Sequence, residues 1–474
     1  MKRCSVGWSL VAALVLLSGD ALANPFDVYG ATGRSSAMSG AQTATPEGAQ
    51  AVYDNVAGLA LAEPQLQVGT MATFGWLPIR LKERPPGYDV PDLGSRSNAL
   101  PSGQERNERR DSEESRPMYG VTVGAVTDFG GTKTRGGVMV MLPTNGLLVL
   151  ETHFADERER VFSNHLRQEL VGSRIHRPVI EAGVARRLTE WLSFGVGGTY
   201  LPGAMVGTVA YVRDPADQSD VELNAGVETT SSWGLLVGMT AELPRGFTVG
   251  ATYRGDVAFR IEGANEIQVR GLDSGEEGDR QEILWVPLSS PSMVKAGVSY
   301  ERGDVEVSLD GRFVFWSNYV DSQGEETAFR NSIEVRAGTE WRSSESTRLQ
   351  AGAGFIPSPV PDQRGRTNYV DNSRLQASVG AGHLFELSGR EFEASWFVQF
   401  QHLLTRDTNK ATRDQYGACV PGERWICDEV PDDTRDSRTG EPLPEAQGLQ
   451  TGNPGFPGFV SGGWIGALGL EIRY

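Results

Sequence analysis

The chain carries five histidines, His153, His165, His176, His383 and His402, and their spacing sets the first limit on its chemistry. A metal site needs ligand-type side chains at paired spacing, and no two of the five stand at such a spacing. No G-x-S-x-G elbow occurs, so the common serine-hydrolase arrangement is missing. His402 and Ser395 are the nearest approach to a hydrolytic pair, but they lie too far apart along one stretch to share a proton. GVGG (195–198) and AGAG (351–354) look like fragments of phosphate-binding loops. No helical pattern follows either, so both read as glycine-rich strand interiors. Cys419 and Cys427 share one polar segment and are expected to form a local disulfide in an oxidising compartment. Neither catalysis, a metal nor a cofactor is expected.

The two ends of the chain suggest what kind of element would position any site. MKRCSVGWSLVAALVLLSGDALA has a basic start, an apolar run from Val6 to Leu17 and small residues at Ala21 and Ala23, the layout of a cleaved secretory signal over residues 1–23. The other end reads GWIGALGLEIRY. Trp464, Gly466, Leu468, Leu470, Ile472 and Tyr474 fall on one face, while Ile465, Ala467, Gly469, Glu471 and Arg473 fall on the other. Strand side chains alternate between faces. One face is thus apolar and bounded by aromatics, as expected of a strand with lipid on one side. After Ala23 no apolar stretch approaches the ~20 residues of a membrane helix, so a spanning chain would have to be a closed barrel.

Between the ends, fourteen alternating segments recur, from QLQVGTMATFGW at 65–76 to the terminal strand. Short turns such as Pro244-Arg245-Gly246 and Arg302-Gly303-Asp304 alternate with longer polar connections, at about 151–176, 207–230, 262–288, 319–331, 359–373 and 404–460. The expected fold class is all-β, a 14-stranded antiparallel transmembrane β-barrel over 65–474, with tight turns on the periplasmic side. Glycine is abundant, 58 residues, and much of it lies inside strands, where it marks close backbone approach or a bend. Pro143 and Gly146 interrupt the third segment, where a kink or a break is expected.

Residues 24–64 are rich in small side chains, with scattered Phe26, Tyr29, Met38, Val52 and Tyr53. The segment is too long for a leader and unlike a linker. A barrel of this size has a lumen that wall side chains do not fill, so the segment is expected to fold back inside as a plug. GRSSAMSGAQTA and AVYDNVAGLA within it resemble the start of the long-chain fatty acid transporter family of the outer membrane (FadL/TodX-like), which includes aromatic-hydrocarbon channels. GATYRGDVAFRIEG, SSPSMVKAGVSYERGDVEVSLDGRFVFWSNY and VRAGTEWRSSESTRLQAGAGFIPSPVPD extend the resemblance downstream in the family's order. Positions 80–235 and 400–460 match poorly. The plug motif Asn55-Val56-Ala57-Gly58 departs from the family's Asn-Pro-Ala.

The resemblance implies uptake of a hydrophobic small molecule, caught among extracellular loops, passed to a pocket beside the plug and released sideways through a gap in the third strand. Pro143 and Gly146 stand where that lateral gate would be. A carboxylate in the lumen would want a cation. Lys295 and Arg312 face inward by parity, and Arg330, beside Phe329 at the outer end of the tenth strand, sits roughly where the family places a basic residue. Pairing of these cations with Glu306, Asp310 or plug carboxylates is the plainer reading. Phe313, Phe315 and Trp316 look like a ligand box, although the first two face lipid by parity. A structural or adhesive barrel without transport is the alternative function.

The full chain has a net charge of −17, which argues against nucleic acid. The other expected partners are outer-membrane lipid and lipopolysaccharide and the barrel-assembly machinery, with the protein a monomer in the outer membrane of a Gram-negative bacterium.

Overall fold

The computed structural model describes residues 25–82, 106–107, 114–115, 117–130, 133–145, 153–154, 166–167, 178–213, 220–270, 279–319, 328–362, 369–409 and 458–474, with backbone alone inside 204–229 and 258–289. Fourteen strands form one closed antiparallel ring. They are β1 (Gln65–Trp76), β2 (Tyr119–Asp128), β3 (Thr134–Pro143), β4 (Val179–Arg187), β5 (Leu192–Leu201), β6 (Ser232–Leu243) and β7 (Phe247–Arg254). The ring continues with β8 (Met293–Arg302), β9 (Val305–Val314), β10 (Ser332–Arg342), β11 (Thr347–Ile356), β12 (Arg374–Leu387), β13 (Arg390–Asn409) and β14 (Gly458–Arg473). Each strand pairs with the next, and β14 pairs back onto β1 from Gln67↔Arg473 to Trp76↔Trp464. The terminal tyrosine completes the seam: Leu66 N donates to Tyr474 O at 2.7 Å, and Tyr474 N donates to Leu66 O at 2.9 Å. Closure leaves no open sheet edge within hydrocarbon.

The alternation decides which face meets lipid. On β14, Leu468, Leu470, Ile472 and Tyr474 are exposed, whereas Ile465, Ala467, Glu471 and Arg473 are buried in the ring. Aromatics flank the apolar band at the turn end, among them Trp191, Phe247 and Trp341, and Phe392 stacks on Tyr474 at 5.0 Å. Trp76, Tyr119 and Trp233 are exposed at the other end. These girdles mark a barrel that sits in a bilayer of the outer-membrane type. The tight turns adopt backbone that few residues tolerate: Ser388 and Gly389 both have positive φ, 55° and 74°, the primed hairpin that matches strand twist.

At the loop end the structure corrects one expectation. Much of 207–230 and 262–288, read as loops, is strand: Ala204–Arg213, Asp220–Thr229, Val257–Arg270 and Asp279–Ser290 form a second, four-stranded antiparallel sheet. It prolongs β5 to β8 beyond the barrel in the same order. Pro202-Gly203 and Gly255-Asp256 interrupt the ladder, but each strand resumes pairing directly afterwards. A breaker in a hairpin arm interrupts local pairing without redirecting the arm, which made it look like a strand end.

Residues 25–64 occupy the interior. They form α1 (Pro25–Tyr29), α2 (Thr32–Ala37), a 3₁₀ turn Gly48–Gln50, α3 (Ala51–Asp54) and a 3₁₀ turn Val56–Ala60. Helices this short are unstable alone; contact with opposite sides of the wall holds them, α2 against β12 and β13, the second 3₁₀ turn against β4, β5 and β6.

Candidate functional site: the plugged lumen

Tyr53 of α3 ties the plug together. Its hydroxyl donates to Phe26 O at 2.7 Å and to Asp27 Oδ1 at 3.0 Å, which docks α3 onto α1. Lys295 Nζ and Arg254 Nη1 each donate to Tyr53 O at 3.2 Å, and both cations lie over the ring, 4.5 and 4.4 Å from its centre. Arg254 also donates to Glu181 at 2.7 Å. Arg312 Nη1 donates to Asp27 O at 3.4 Å and lies 3.6 Å from Glu334. Lys295 and Arg312 thus face inward, buried; each donates to a plug carbonyl, and Arg312 pairs with Glu334 rather than with Glu306 or Asp310. Glu306 is taken by Arg34, and Asp310 Oδ2 accepts from Thr43 N at 2.8 Å. Burial raises the pKa of Asp54, on α3, against the opposing pull of Lys295, to about 6.

Asn55 seats the next turn. Its Oδ1 accepts from Ala57 N at 3.1 Å, while Nδ2 donates to Thr43 O at 2.8 Å and to Met239 O and Thr240 Oγ1 at 3.0 Å. A socket in the wall receives the turn because the facing residues lack side chains. A Cβ on Gly238 would lie 2.1 Å from Asn55 Oδ1, and one on Gly195 2.7 Å from the Val56 backbone. Gly137 and Gly183 play the same part for Leu59 and Val56. Val56, where the family has proline, is the first residue of the 3₁₀ turn, a position that accepts proline. Ala57 and Gly58 are buried within the same turn.

The turn end is closed by charge. Arg34 of α2, 2% exposed, donates through Nε to Glu340 at 2.7 Å and through Nη2 to Glu306 at 2.9 Å, with Glu47 at 3.6 Å. Arg348 joins Glu47 at 3.1 Å and Glu393 at 2.5 Å, and Arg473 reaches Glu393 at 2.8 Å and Glu47 at 3.4 Å. Burial favours protonation of Glu47, but Arg34, Arg348 and Arg473 outweigh it and hold its carboxyl well below the usual range. Beneath the lock opens a polar mouth of about 670 Å³, lined by Glu63, Glu301, Arg342 and Glu391 among others. Inward charges on β9 to β14 were legible by parity; their pairing with Arg34 and Glu47 was not.

On the loop side an apolar cluster adjoins these buried charges. Phe26 and Tyr29 of α1 pack with Met71, Met118, Met139 and Met141, all within 2% of complete burial. Pro143 is the last residue of β3 and pairs with Gly120 of β2, whereas pairing with β4 runs only to Met141↔Val179. Gly146, Cys419 and Cys427 and the leader lie outside the described residues. Phe329 is buried, stacked at 5.4 Å on Tyr319 and edge-on to Tyr369 at 5.0 Å, with Trp316 beside them. Arg330 is exposed, its N–H donating to Pro359 O at 2.8 Å; the structure separates it from Lys295 and Arg312. Phe313 and Phe315 pack edge to face at 4.9 Å. His402 is exposed on the outer face of β13 and Ser395 buried on the inner face, so the two point to opposite sides. Among the described residues no group of three metal-ligating side chains occurs.

No protein-family model and no curated protein matches the chain. Solved structures do. A Pseudomonas aeruginosa FadL homologue superposes with a TM-score of 0.57 at 12% identity, covering 96% of this chain and 98% of its own. The P. putida toluene transporter TodX gives 0.52 at 13% identity, covering 94% and 99%. At such identities the likeness speaks to the fold. With a ring of fourteen strands around a filled lumen and coverage of nearly the whole length of both chains, the chain has the FadL-like fold, a plugged β-barrel of the outer-membrane type.

Proposed function

We propose that the protein is an outer-membrane channel for uptake of hydrophobic small molecules, long-chain fatty acids or aromatic hydrocarbons. The observation that carries this reading is an apolar, methionine-lined cluster beside α1 on the loop side of the lumen, with a network of buried ion pairs closing the turn end. A greasy molecule entering from the loops meets side chains that adapt to its shape. Onward along the axis it would have to displace buried ion pairs and then enter water, at roughly 0.8 kcal/mol per CH₂. Exit through the wall avoids both costs. The end of β3 is the proposed gate, because Leu142 and Pro143 lie beyond the last β3–β4 pair and beside Met139 and Met141 of the apolar cluster. Lys295 and Arg312 lie beneath α1 and would reach a carboxylate only after Tyr53 moves.

Uptake of labelled oleate and labelled toluene by cells with and without the gene tests the reading. Faster uptake of at least one with the gene is expected, and equal rates for both overturn it. Pro143→Val is expected to slow that uptake several-fold while the barrel still assembles. Unchanged uptake in the variant removes the gate at β3.

A further inference from the structure

Two buried aspartates lie between plug and wall without a cation of their own. Asp54 of α3 is 1% exposed, and neither of its carboxylate oxygens accepts a hydrogen bond. Asp310 of β9 is 4% exposed; its Oδ2 is taken by Thr43 N, and its Oδ1 has no partner. The buried hydroxyls of Ser35 and Thr43 are equally unpartnered. The neighbouring lumen carboxylates have arginines: Glu181 has Arg254, Glu334 has Arg312 and Arg336, and Glu306 and Glu340 have Arg34. A carboxylate buried without a counter-charge or a donor is among the costliest groups a protein can hold.

These groups share one place. Asn55, next to Asp54 in the chain, donates through Nδ2 to Thr43 O at 2.8 Å, and Thr43 N reaches Asp310 at 2.8 Å. Thr43 and Asp310 meet over Gly297 of β8, where a Cβ would stand 3.0 Å from Thr43 Cβ and strike Asp310 Oδ1. Ser35 of α2 stands beside Asp54, short of a hydrogen bond. Burial is the main reason that Asp54 resists ionisation, and the charge of Asp310 adds to it. Lys295 and Arg312, the inward neighbours of Gly297 and Asp310 on their strands, act on both aspartates but bond to neither. Lys295 is held on the carbonyl and ring of Tyr53, and Arg312 on Asp27 O and Glu334.

We propose that Asp54 and Asp310, with the hydroxyls of Thr43 and Ser35, form a site for a sodium ion that fastens the plug to the wall at β9. Five oxygens without protein partners, two from Asp54 and one each from Asp310, Thr43 and Ser35, are hard ligands that suit a hard cation and not a soft transition metal. They are fewer than the roughly 6–8 that calcium takes, and the positive charges of Lys295 and Arg312 nearby favour a single added charge over two. The ion offsets the cost of ionising Asp54 and joins α2, α3 and the Thr43 segment to one strand. Water in the same place leaves the two negative charges uncompensated.

Binding of radiolabelled sodium to the purified full-length barrel in nanodiscs of zwitterionic lipid, at pH 7 with choline chloride holding the ionic strength constant, tests the site. Wild type is expected to bind sodium saturably, above the level of empty nanodiscs. Asp54→Asn and Asp310→Asn, each checked for heat-modifiable mobility as a sign of a folded barrel, are expected to weaken binding at least about tenfold, as the loss of a bond to a charged group does. Thr43→Val deletes a hydroxyl that bonds to nothing in the protein, so the fold stands, and sodium is expected to bind several-fold more weakly. In planar bilayers, choline chloride in place of sodium chloride is expected to make plug openings more frequent in wild type and to leave Asp54→Asn unchanged. No saturable binding by wild type, or unchanged affinity in the folded variants, overturns the site; equal opening rates in the two salts overturn its hold on the plug. None of these results bears on the uptake reading.

Discussion

Arg34 carries the greatest density of interactions in the plug. It holds Glu306 and Glu340 from within a fully enclosed site, so removing it leaves the buried Glu306 carboxylate without its cation, a loss of about 3–5 kcal/mol. Arg34→Leu is expected to loosen the plug, read as frequent large openings in planar-bilayer recordings; quiet channels would show that the wall contacts suffice. Asp54 adds a pH dependence. Its folded pKa of about 6 exceeds the ~3.9 of an unfolded aspartate, so its ionised form is the disfavoured one. The contribution of Asp54 to plug stability is then fully present below about pH 4, is lost as pH rises through about 6, and is flat above. Openings should be rarer at pH 4.5 than at pH 7, and Asp54→Asn should reduce this difference; an unaltered pH response would place its origin elsewhere. Val56→Pro should leave the channel closed and folded, because the first position of a 3₁₀ turn tolerates proline.

Among the elements, the strand register does most to define the site. Gly195 and Gly238 lie opposite each other on β5 and β6, and together they admit the Asn55 turn. Gly195→Val would drive a side chain into the Val56 backbone, 2.7 Å from the Cβ position. The expected result is a barrel that folds, with normal heat-modifiable mobility, but conducts as though the plug were unseated. A channel that stays as quiet as the wild type would mean that the turn has another seat. The abundance of strand glycines was legible in the sequence as a sign of close approach. Which backbone approached was not, because Asn55 and Met239, bonded at 3.0 Å, are 184 positions apart.

For the molecule as a whole, the apolar outer band requires the purified protein to need detergent or lipid; recovery as a freely soluble monomer would overturn the barrel's placement in a membrane. The fourteen segments, their order and their inner and outer faces could be read from the sequence because alternation is a local property, fixed by the backbone geometry of each strand. Lys295 and Arg312 could be placed on the inner face for the same reason. That they are held by plug carbonyls could not, nor could the lock that joins Arg34 to Glu306 across 272 positions. The prolongation of β5 to β8 was hidden by Pro202 and Gly255, which look like ends when only neighbouring residues are considered. The sequence by itself thus determined a lipid-facing cylinder and a segment to fill it. Only the tertiary structure decided how the filling is held and which lumen atoms stay unpaired, because those depend on contacts between residues that only ring closure brings together.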